Sequence, residues 1–156
     1  MRPFFEWCDQ TAVGEAIRDS RFIFPIAESI HLLALTVLLG SVVVLSLRLL
    51  GGGLRSQSIP DVARTLAPLT LGGLLTMLGT GALLFCSEAM KCYENPPFWF
   101  KMEALGLAIL FHYTFVRSTT RSEEAAASRV RTAVAAVGSL LLWFGVGAGG
   151  RAIGFY

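Results

Sequence analysis

Charged side chains are scarce in this sequence. They make up 15% of its 156 residues, against about 25% in an average soluble domain. The deficit is concentrated in three blocks, residues 29–47, 65–87 and 132–150, which hold no Asp, Glu, Lys or Arg. Each block approaches the roughly 20 residues that a helix needs to cross the hydrocarbon core of a bilayer. A charge-free helix of this length has no polar face to turn toward water, so the blocks argue against a soluble bundle and predict membrane spans.

A fourth uncharged block, residues 104–116, is shorter. It reaches the length of a span only if it begins near Phe98 and carries Lys101 and Glu103 into the interface. Long cationic side chains can extend to the headgroups from such a position. Residues 98–100 read Phe-Trp-Phe, an aromatic belt typical of the place where a chain enters the membrane.

The predicted fold is all-α: a polytopic membrane protein with four transmembrane helices in an up-down bundle and a short N-terminal interfacial helix. Residues 1–156 form a single transmembrane domain in this reading. The interfacial segment covers 1–20 and the membrane helices cover about 22–50, 62–88, 98–116 and 130–148, by their apolar blocks. Several acidic residues interrupt the first 20 positions, so we expect the first membrane helix, not a cleaved leader, to direct insertion.

Loop charge gives a weak indication of orientation. One side of the predicted bundle has the connector between helices one and two, the connector between helices three and four, and the adjoining helix ends. This side holds seven Lys or Arg residues, and the other side holds six. Cytoplasmic loops carry the excess of Lys and Arg. We therefore expect both termini outside, which is the periplasm if the membrane is a bacterial inner membrane.

Other functional signatures are missing. The glycines at 51–53 follow a membrane helix and lack the Lys-Ser or Lys-Thr pair of a phosphate-binding loop. No dense basic patch supports nucleic-acid binding. No nucleophile with an adjacent base is visible, so an electron carrier or a subunit of a complex is favoured over a stand-alone enzyme.

The three cysteines fall on one predicted side of the membrane. Cys86 and Cys92 flank one helix end, and Cys8 lies on the same side. A Cys86–Cys92 disulfide is one interpretation for an oxidising compartment. The other is that Cys8 and Cys86 are small buried apolar residues.

The sequence has two histidines, His31 and His112, and both lie inside predicted membrane helices. Ionisable groups at such depth are costly and often functional. If helices one and three run parallel, the two imidazoles would be axial ligands of a b-type heme iron, with Gly72 and Gly73 as a flat wall. The alternatives are interhelical hydrogen bonds and a proton or ion pathway.

Two further charges bear on that site. Glu28 and Lys101 would hold heme propionates or a quinone headgroup near the outer surface; ordinary interfacial solvation is the alternative. Helical rise places Glu28 about 4.5 Å from His31 along the axis and Lys101 about 16 Å from His112. If Glu28 pairs with Lys101, the histidines differ in depth by about 12 Å, which conflicts with one bis-histidine heme.

The stretch from Glu28 to Gly51 and the stretch from Asn95 to His112 resemble an uncharacterised family of small bacterial inner-membrane proteins. That family is similar in layout to the membrane domain of copper-resistance protein D and, more distantly, to four-helix b-type cytochromes. The resemblance implies an inner-membrane location and a heme or quinone connection, with His31 and His112 as the carried-over positions. The cytochromes often have four histidines for two hemes, so this chain would hold at most one such heme.

The resulting hypothesis is a small b-type-heme electron-transfer subunit that links the quinone pool to a partner redox protein, membrane or periplasmic, within a larger complex. Its cofactors would be heme b and a quinone. Two alternatives remain open at this stage: a non-redox accessory subunit with structural histidines, and a copper or proton transport protein that uses Glu28, His31 and His112.

Overall fold

The computed structural model describes residues 2–53 and 56–155, and most of them are helical. In chain order the elements are α1 (Arg2–Asp9), α2 (Ala12–Asp19), α3 (Ile23–Leu49), α4 (Ile59–Ser87), α5 (Ala89–Tyr93), α6 (Pro96–Phe111), a π-helical turn (His112–Val116), α7 (Arg117–Thr120), α8 (Glu123–Ala126) and α9 (Arg129–Ile153). The backbone at the joins on either side of the π-helical turn keeps right-handed helical angles, so α6, the turn and α7 form one continuous helical segment.

Three helices are long and apolar enough to cross a membrane: α3, α4 and α9. Their outward faces are apolar as well, since Leu33, Leu75 and Leu141 expose 67%, 60% and 70% of their surface. A water-soluble helix places polar residues on that face. The chain is therefore all-helical in its described parts, and its helices indicate a multi-pass membrane protein.

The long helices pack in antiparallel pairs through glycines. On α4, Gly81 lies against His31 and Gly73 lies against Leu38, so residue numbers fall along α4 as they rise along α3. The space for a Cβ at Gly73 is limited by the Ala34 carbonyl oxygen at 3.1 Å and by Leu38 at 3.2 Å. In the same way, α9 meets α6 through Gly149 at Lys101 and Gly138 at Phe111. Small residues at these positions let the backbones approach closely.

Buried apolar side chains form one core along the middle of the bundle and a second toward the end that holds the α3–α4 connection. The first includes Leu38, Met77 and Trp143, and the second includes Leu45 and Val116. Trp143, from α9, is only 1% exposed. It is the largest fully buried side chain among the described residues.

Helix ends follow from local capping. Ser58 accepts a hydrogen bond from the Asp61 amide and Pro60 occupies the first turn, so α4 begins three residues before the predicted position. Gly51 and Gly53 have φ of 80° and 61° after α3, a conformation that favours glycine. The predicted interfacial segment is two helices, because the Thr11 hydroxyl caps a new helix by accepting from the Gly14 amide.

Candidate functional site

His31 lies on α3 and packs against α4. Its Nδ1 is 3.0 Å from the Thr80 hydroxyl oxygen, and that hydroxyl donates its own proton to the Thr76 carbonyl at 2.7 Å. In the tautomer with the ring proton on Nδ1, the Thr80 hydroxyl accepts from the imidazole and Nε2 keeps a lone pair. A neutral imidazole of this tautomer can ligate a metal through Nε2.

Lys101 is a charged residue that interacts electrostatically with His31. Lys101 runs along the glycines of α9, with its Nζ 3.3 Å from the Cβ position of Gly150. Within residues 2–53 and 56–155, Lys101 takes part in none of the ion pairs. Glu28 is exposed and likewise takes part in none of those pairs, so the structure does not bring Glu28 and Lys101 together.

His112 begins the π-helical turn. Its Nδ1 is enclosed by protein and has no hydrogen-bond partner among residues 2–53 and 56–155. The Nε1 of Trp143 is the other atom in this condition. The two rings meet edge to face with their centroids 6.5 Å apart. Buried polar atoms without partners are rare and costly. Here the indole Nε1–H of Trp143 is a donor, and the Nδ1 of His112, on the neighbouring side chain, is able to accept.

A cavity of about 450 Å³ lies beside His112, between the first half of α4 and the segment formed by the π-helical turn and α7. This is within the size range of small-molecule sites. The walls are mostly apolar. Polar residues in the lining include His112, Tyr113, Arg64, Arg117 and Arg121. All three arginines are exposed, so the cavity combines an apolar interior with cationic residues.

The structure does not bring the two histidines to one iron. His31 contacts Thr80, whereas His112 shares the cavity with Leu71 and residues before it on α4. Nine residues of helix correspond to about 13.5 Å of rise. Axial ligands of one heme must face each other across the ring at nearly one depth. The arrangement of His31 and His112 as a bis-histidine pair therefore does not fit this fold.

The two glycines predicted as a porphyrin wall have different environments. Gly73 is buried against α3, so its face is already filled. Gly72 is exposed and has no atom within 4 Å of its Cβ position. Neither glycine lines the cavity beside His112. In the part of the chain that the structure describes, no group of three or more His, Cys, Asp or Glu residues could hold a metal ion.

A family model for a family of unknown function, DUF6644, matches residues 4–156. The chain belongs to the DUF6644 family. Comparison with curated proteins found no significant match, and neither did comparison with solved structures. The expected membership of an uncharacterised family is thus confirmed. The similarity to copper-resistance protein D and to b-type cytochromes has no support from these matches and stays a prediction.

Sequence reasoning singled out both histidines but missed what surrounds His112 in this DUF6644 chain. Trp143 lies in an apolar helix, where the sequence does not distinguish a tryptophan beside a site from any other apolar residue. Arg64, Arg117 and Arg121 were counted only as loop charge. Their spacing carried a usable signal, since Arg117 and Arg121 are four apart and therefore share a helix face.

Proposed function

We propose that this DUF6644 protein is a membrane electron-transfer subunit that binds a quinone in the cavity beside His112 and links the quinone pool to a partner redox protein in a larger complex. The observation that carries the proposal is the cavity itself: an apolar space of suitable size, lined by a half-buried imidazole whose Nδ1 is enclosed and has no partner among the described residues. A quinone is a flat apolar ring with carbonyl oxygens that accept hydrogen bonds. Sites for such molecules are apolar with a few placed polar groups.

The proposal includes four spans in an up-down bundle. α6 has 16 residues and is too short to span alone. The continuous helical segment from Pro96 to Thr120 is long enough, and the π-helical turn interrupts only its hydrogen-bond pattern. This segment packs antiparallel to α9, as a fourth span would. The π-helical turn also supports a site, because such turns occur frequently at functional positions.

Trp143 would set the chemistry of His112. An indole Nε1–H can only donate, and the enclosed Nδ1 of His112 is the neighbouring atom without a partner. A small shift of either ring would let Nδ1 accept from Trp143, and the ring proton of a neutral imidazole would then be on Nε2. His112 then acts as a hydrogen-bond donor to a ligand oxygen. This tautomer suits a quinone carbonyl and disfavours ligation of iron by Nε2.

The proposal keeps heme b as a cofactor, with His31 but not His112 as a ligand. His31, as an imidazole ligand, and the nearby Lys101, as a cation for a propionate, would be the residues that hold the heme. The heme would supply one-electron chemistry on this side of the protein. A heme on this side and a quinone on the other would serve electron transfer across the membrane.

The proposed location and orientation rest on the distribution of Lys and Arg between the loops. We propose a multi-pass protein of the bacterial inner membrane with both termini in the periplasm, so that the His112 cavity lies toward the cytoplasmic side, where Arg64, Arg117 and Arg121 add to the positive charge. In the accessory-subunit and transport alternatives the same cavity would hold a lipid or remain filled by a partner helix.

The test is quinone binding to the purified protein in detergent. Ubiquinone-1 and menaquinone-1 are titrated while tryptophan fluorescence is recorded, since Trp143 adjoins the proposed site. We expect saturable quenching, weakened about 10-fold or more in His112→Leu, because one buried hydrogen bond to a ligand contributes on the order of 1–3 kcal/mol. His31→Leu is the matched control and should bind normally.

Equal quenching curves for the wild type and His112→Leu would overturn the assignment of the cavity. A reduced-minus-oxidised visible spectrum of the same samples tests the heme separately. An α band typical of b-type heme that is lost in His31→Leu and kept in His112→Leu supports the one-ligand arrangement. Loss of the band in both variants would restore the bis-histidine hypothesis and contradict the geometry described above.

A further inference from the structure

The two N-terminal helices, α1 and α2, are joined to the end of α4 by hydrogen bonds of one arginine. Arg18, from α2, donates to the Ser87 carbonyl oxygen at 2.9 Å and to the Asp9 carbonyl oxygen at 2.6 Å. The same guanidinium pairs with the Asp9 carboxylate at 3.3 Å. One side chain therefore ties α1, α2 and the last residue of α4 together.

Close backbone contact brings the same elements together one residue earlier on α4. Gly14 lies so near the Cys86 carbonyl that a Cβ at this position would be less than 3.0 Å from the oxygen. On the other side, the Phe5 ring of α1 packs against Phe85 with centroids 5.2 Å apart. Cys86 is thus held between contacts from both N-terminal helices.

Cys8 lies where these contacts converge. It is 4% exposed and belongs to a small core with Phe5 and Ala89. The neighbouring side chain that acts electrostatically on its thiol is Cys86, the residue whose backbone Gly14 contacts. Three independent contacts therefore fix the backbones around this pair, namely those of Arg18, Gly14 and Phe5.

We propose that Cys8 and Cys86 are a modification site: they form an intramolecular disulfide that joins α1 to the end of α4. This pairing differs from the Cys86–Cys92 disulfide considered from the sequence. It is independent of the quinone proposal, because it involves the opposite end of the bundle.

The oxidant is a disulfide-bonded compound, such as an oxidised dithiol protein of the periplasm or oxidised glutathione. Cys86, the more accessible of the pair, attacks it as a thiolate and forms a mixed disulfide, releasing one thiol. Cys8 then attacks the Cys86 sulfur and releases the second thiol. Two protein thiols are oxidised, one disulfide is reduced to two thiols, and both protons go to the released thiolates.

Burial and the neighbouring Cys86 raise the pKa of the Cys8 thiol. Because the thiolate is the attacking species, the second step is expected to accelerate as pH rises. Cys92 also packs against the small core that holds Cys8, but its electrostatic environment differs. Its electrostatic partners are Glu88, Lys101 and Lys91, with no cysteine among them, and burial raises its pKa to about 11. It is therefore a poor nucleophile and the expected bystander.

The experiment counts free thiols in the full chain. Purified protein is treated with oxidised glutathione, denatured, and alkylated with a polyethylene-glycol maleimide that shifts its mobility once per thiol. We expect one adduct after oxidation and three after reduction, since the chain has three cysteines. Cys92→Ser should give no adduct after oxidation, and Cys8→Ser should leave two.

Mass spectrometry identifies which cysteines are linked or modified, which the number of adducts on a gel does not show. The proposal requires a loss of two hydrogen masses and a linked peptide pair containing Cys8 and Cys86. A Cys86–Cys92 peptide, a stable glutathione adduct on Cys86, or three reactive thiols in the oxidised wild type would each overturn it. If Cys8→Ser fails to fold, Cys8→Ala replaces it as the negative control, and Cys92→Ser, which keeps both partner cysteines, still gives the linked peptide or its absence.

Discussion

The helix pair α3–α4 offers a sharp test of the packing, because two adjacent glycines on α4 have opposite environments. A leucine at Gly73 would meet the Ala34 carbonyl oxygen and the Leu38 backbone, which lie 3.1–3.2 Å from the Cβ position. These are backbone atoms and cannot rotate away. A leucine at Gly72 would meet nothing within 4 Å and would face the apolar surroundings.

The expected difference follows from those contacts. Both substitutions gain the same helix propensity over glycine, about 0.8 kcal/mol, so this gain cancels between them. Overpacking a close contact costs about 1–3 kcal/mol. At about 2–4 °C per kcal/mol for a chain of this size, Gly73→Leu should melt roughly 2–12 °C below Gly72→Leu.

The measurement is the thermal midpoint in detergent, followed by the helical circular-dichroism signal and checked by size-exclusion chromatography. Gly72→Leu is the matched control, since the two positions are consecutive on one helix. Equal midpoints for the two variants would refute the close α3–α4 contact at Gly73 and with it the register that places His31 beside Thr80.

Two further predictions concern the chain-terminal side of the bundle. Asn95→Ala should lower the free energy of unfolding by about 1–3 kcal/mol, because this 7%-exposed side chain caps α6 by accepting from the Phe98 amide and donates to the Ile153 carbonyl at 3.1 Å. Asn95→Asp keeps the cap and should lose less in the same denaturation assay; an unchanged midpoint in Asn95→Ala would contradict this role. Cys92 should be alkylated by iodoacetamide about 100-fold more slowly near neutral pH than a thiol of pKa 9.0, because its pKa is raised to about 11. Its rate, measured after the other two cysteines are replaced by serine, should keep rising to about pH 11, and a plateau near pH 9 would show that the thiol is not buried as described.

The helices could be located from the sequence because their signal is compositional. Uncharged blocks of span length predict α3, α4 and α9 to within a few residues. The fourth segment was harder to define, since Lys101 shortens its apolar block and the π-helical turn ends the regular α-helix at Phe111. A π-helical turn depends on packing against neighbouring helices, which periodicity alone does not reveal.

The candidate site shows where sequence reasoning stops. Helical rise predicted a conflict in depth between His31 and His112 only if Glu28 paired with Lys101. The structure does not bring Glu28 and Lys101 together, yet it places the two histidines against different parts of α4. The bis-histidine hypothesis relied on both rings facing one interior space, and a sequence does not fix the depth at which two helices meet. Likewise, two consecutive glycines look equivalent in sequence, although only Gly73 touches α3.

The cysteines illustrate the same difficulty over a longer range. Cys86 and Cys92 are close in the chain, which favoured their pairing. The structure instead places Cys8 beside Cys86, because α1 and α2 fold back onto the end of α4. That contact depends on Gly14 and Arg18, neither of which is remarkable in a short amphipathic segment.

The π-helical turn has a consequence for how members of the family can differ in length. A π turn accommodates one residue more than an α turn, so the residues beyond it are displaced by about 100° from where an uninterrupted α-helix of the same sequence would place them. In this chain the turn lies between the part of the helical segment that meets α9 and the part that carries Arg117 and Arg121 to the cavity. A relative lacking one residue between Phe111 and Arg117 would close the turn as regular α-helix and keep both helical pieces in the same relative orientation. Its arginines would still face the cavity. A relative of equal length without the π-helical turn would instead rotate its arginines by about 100°, and in such relatives the pocket beside His112 would have closed or changed its ligand.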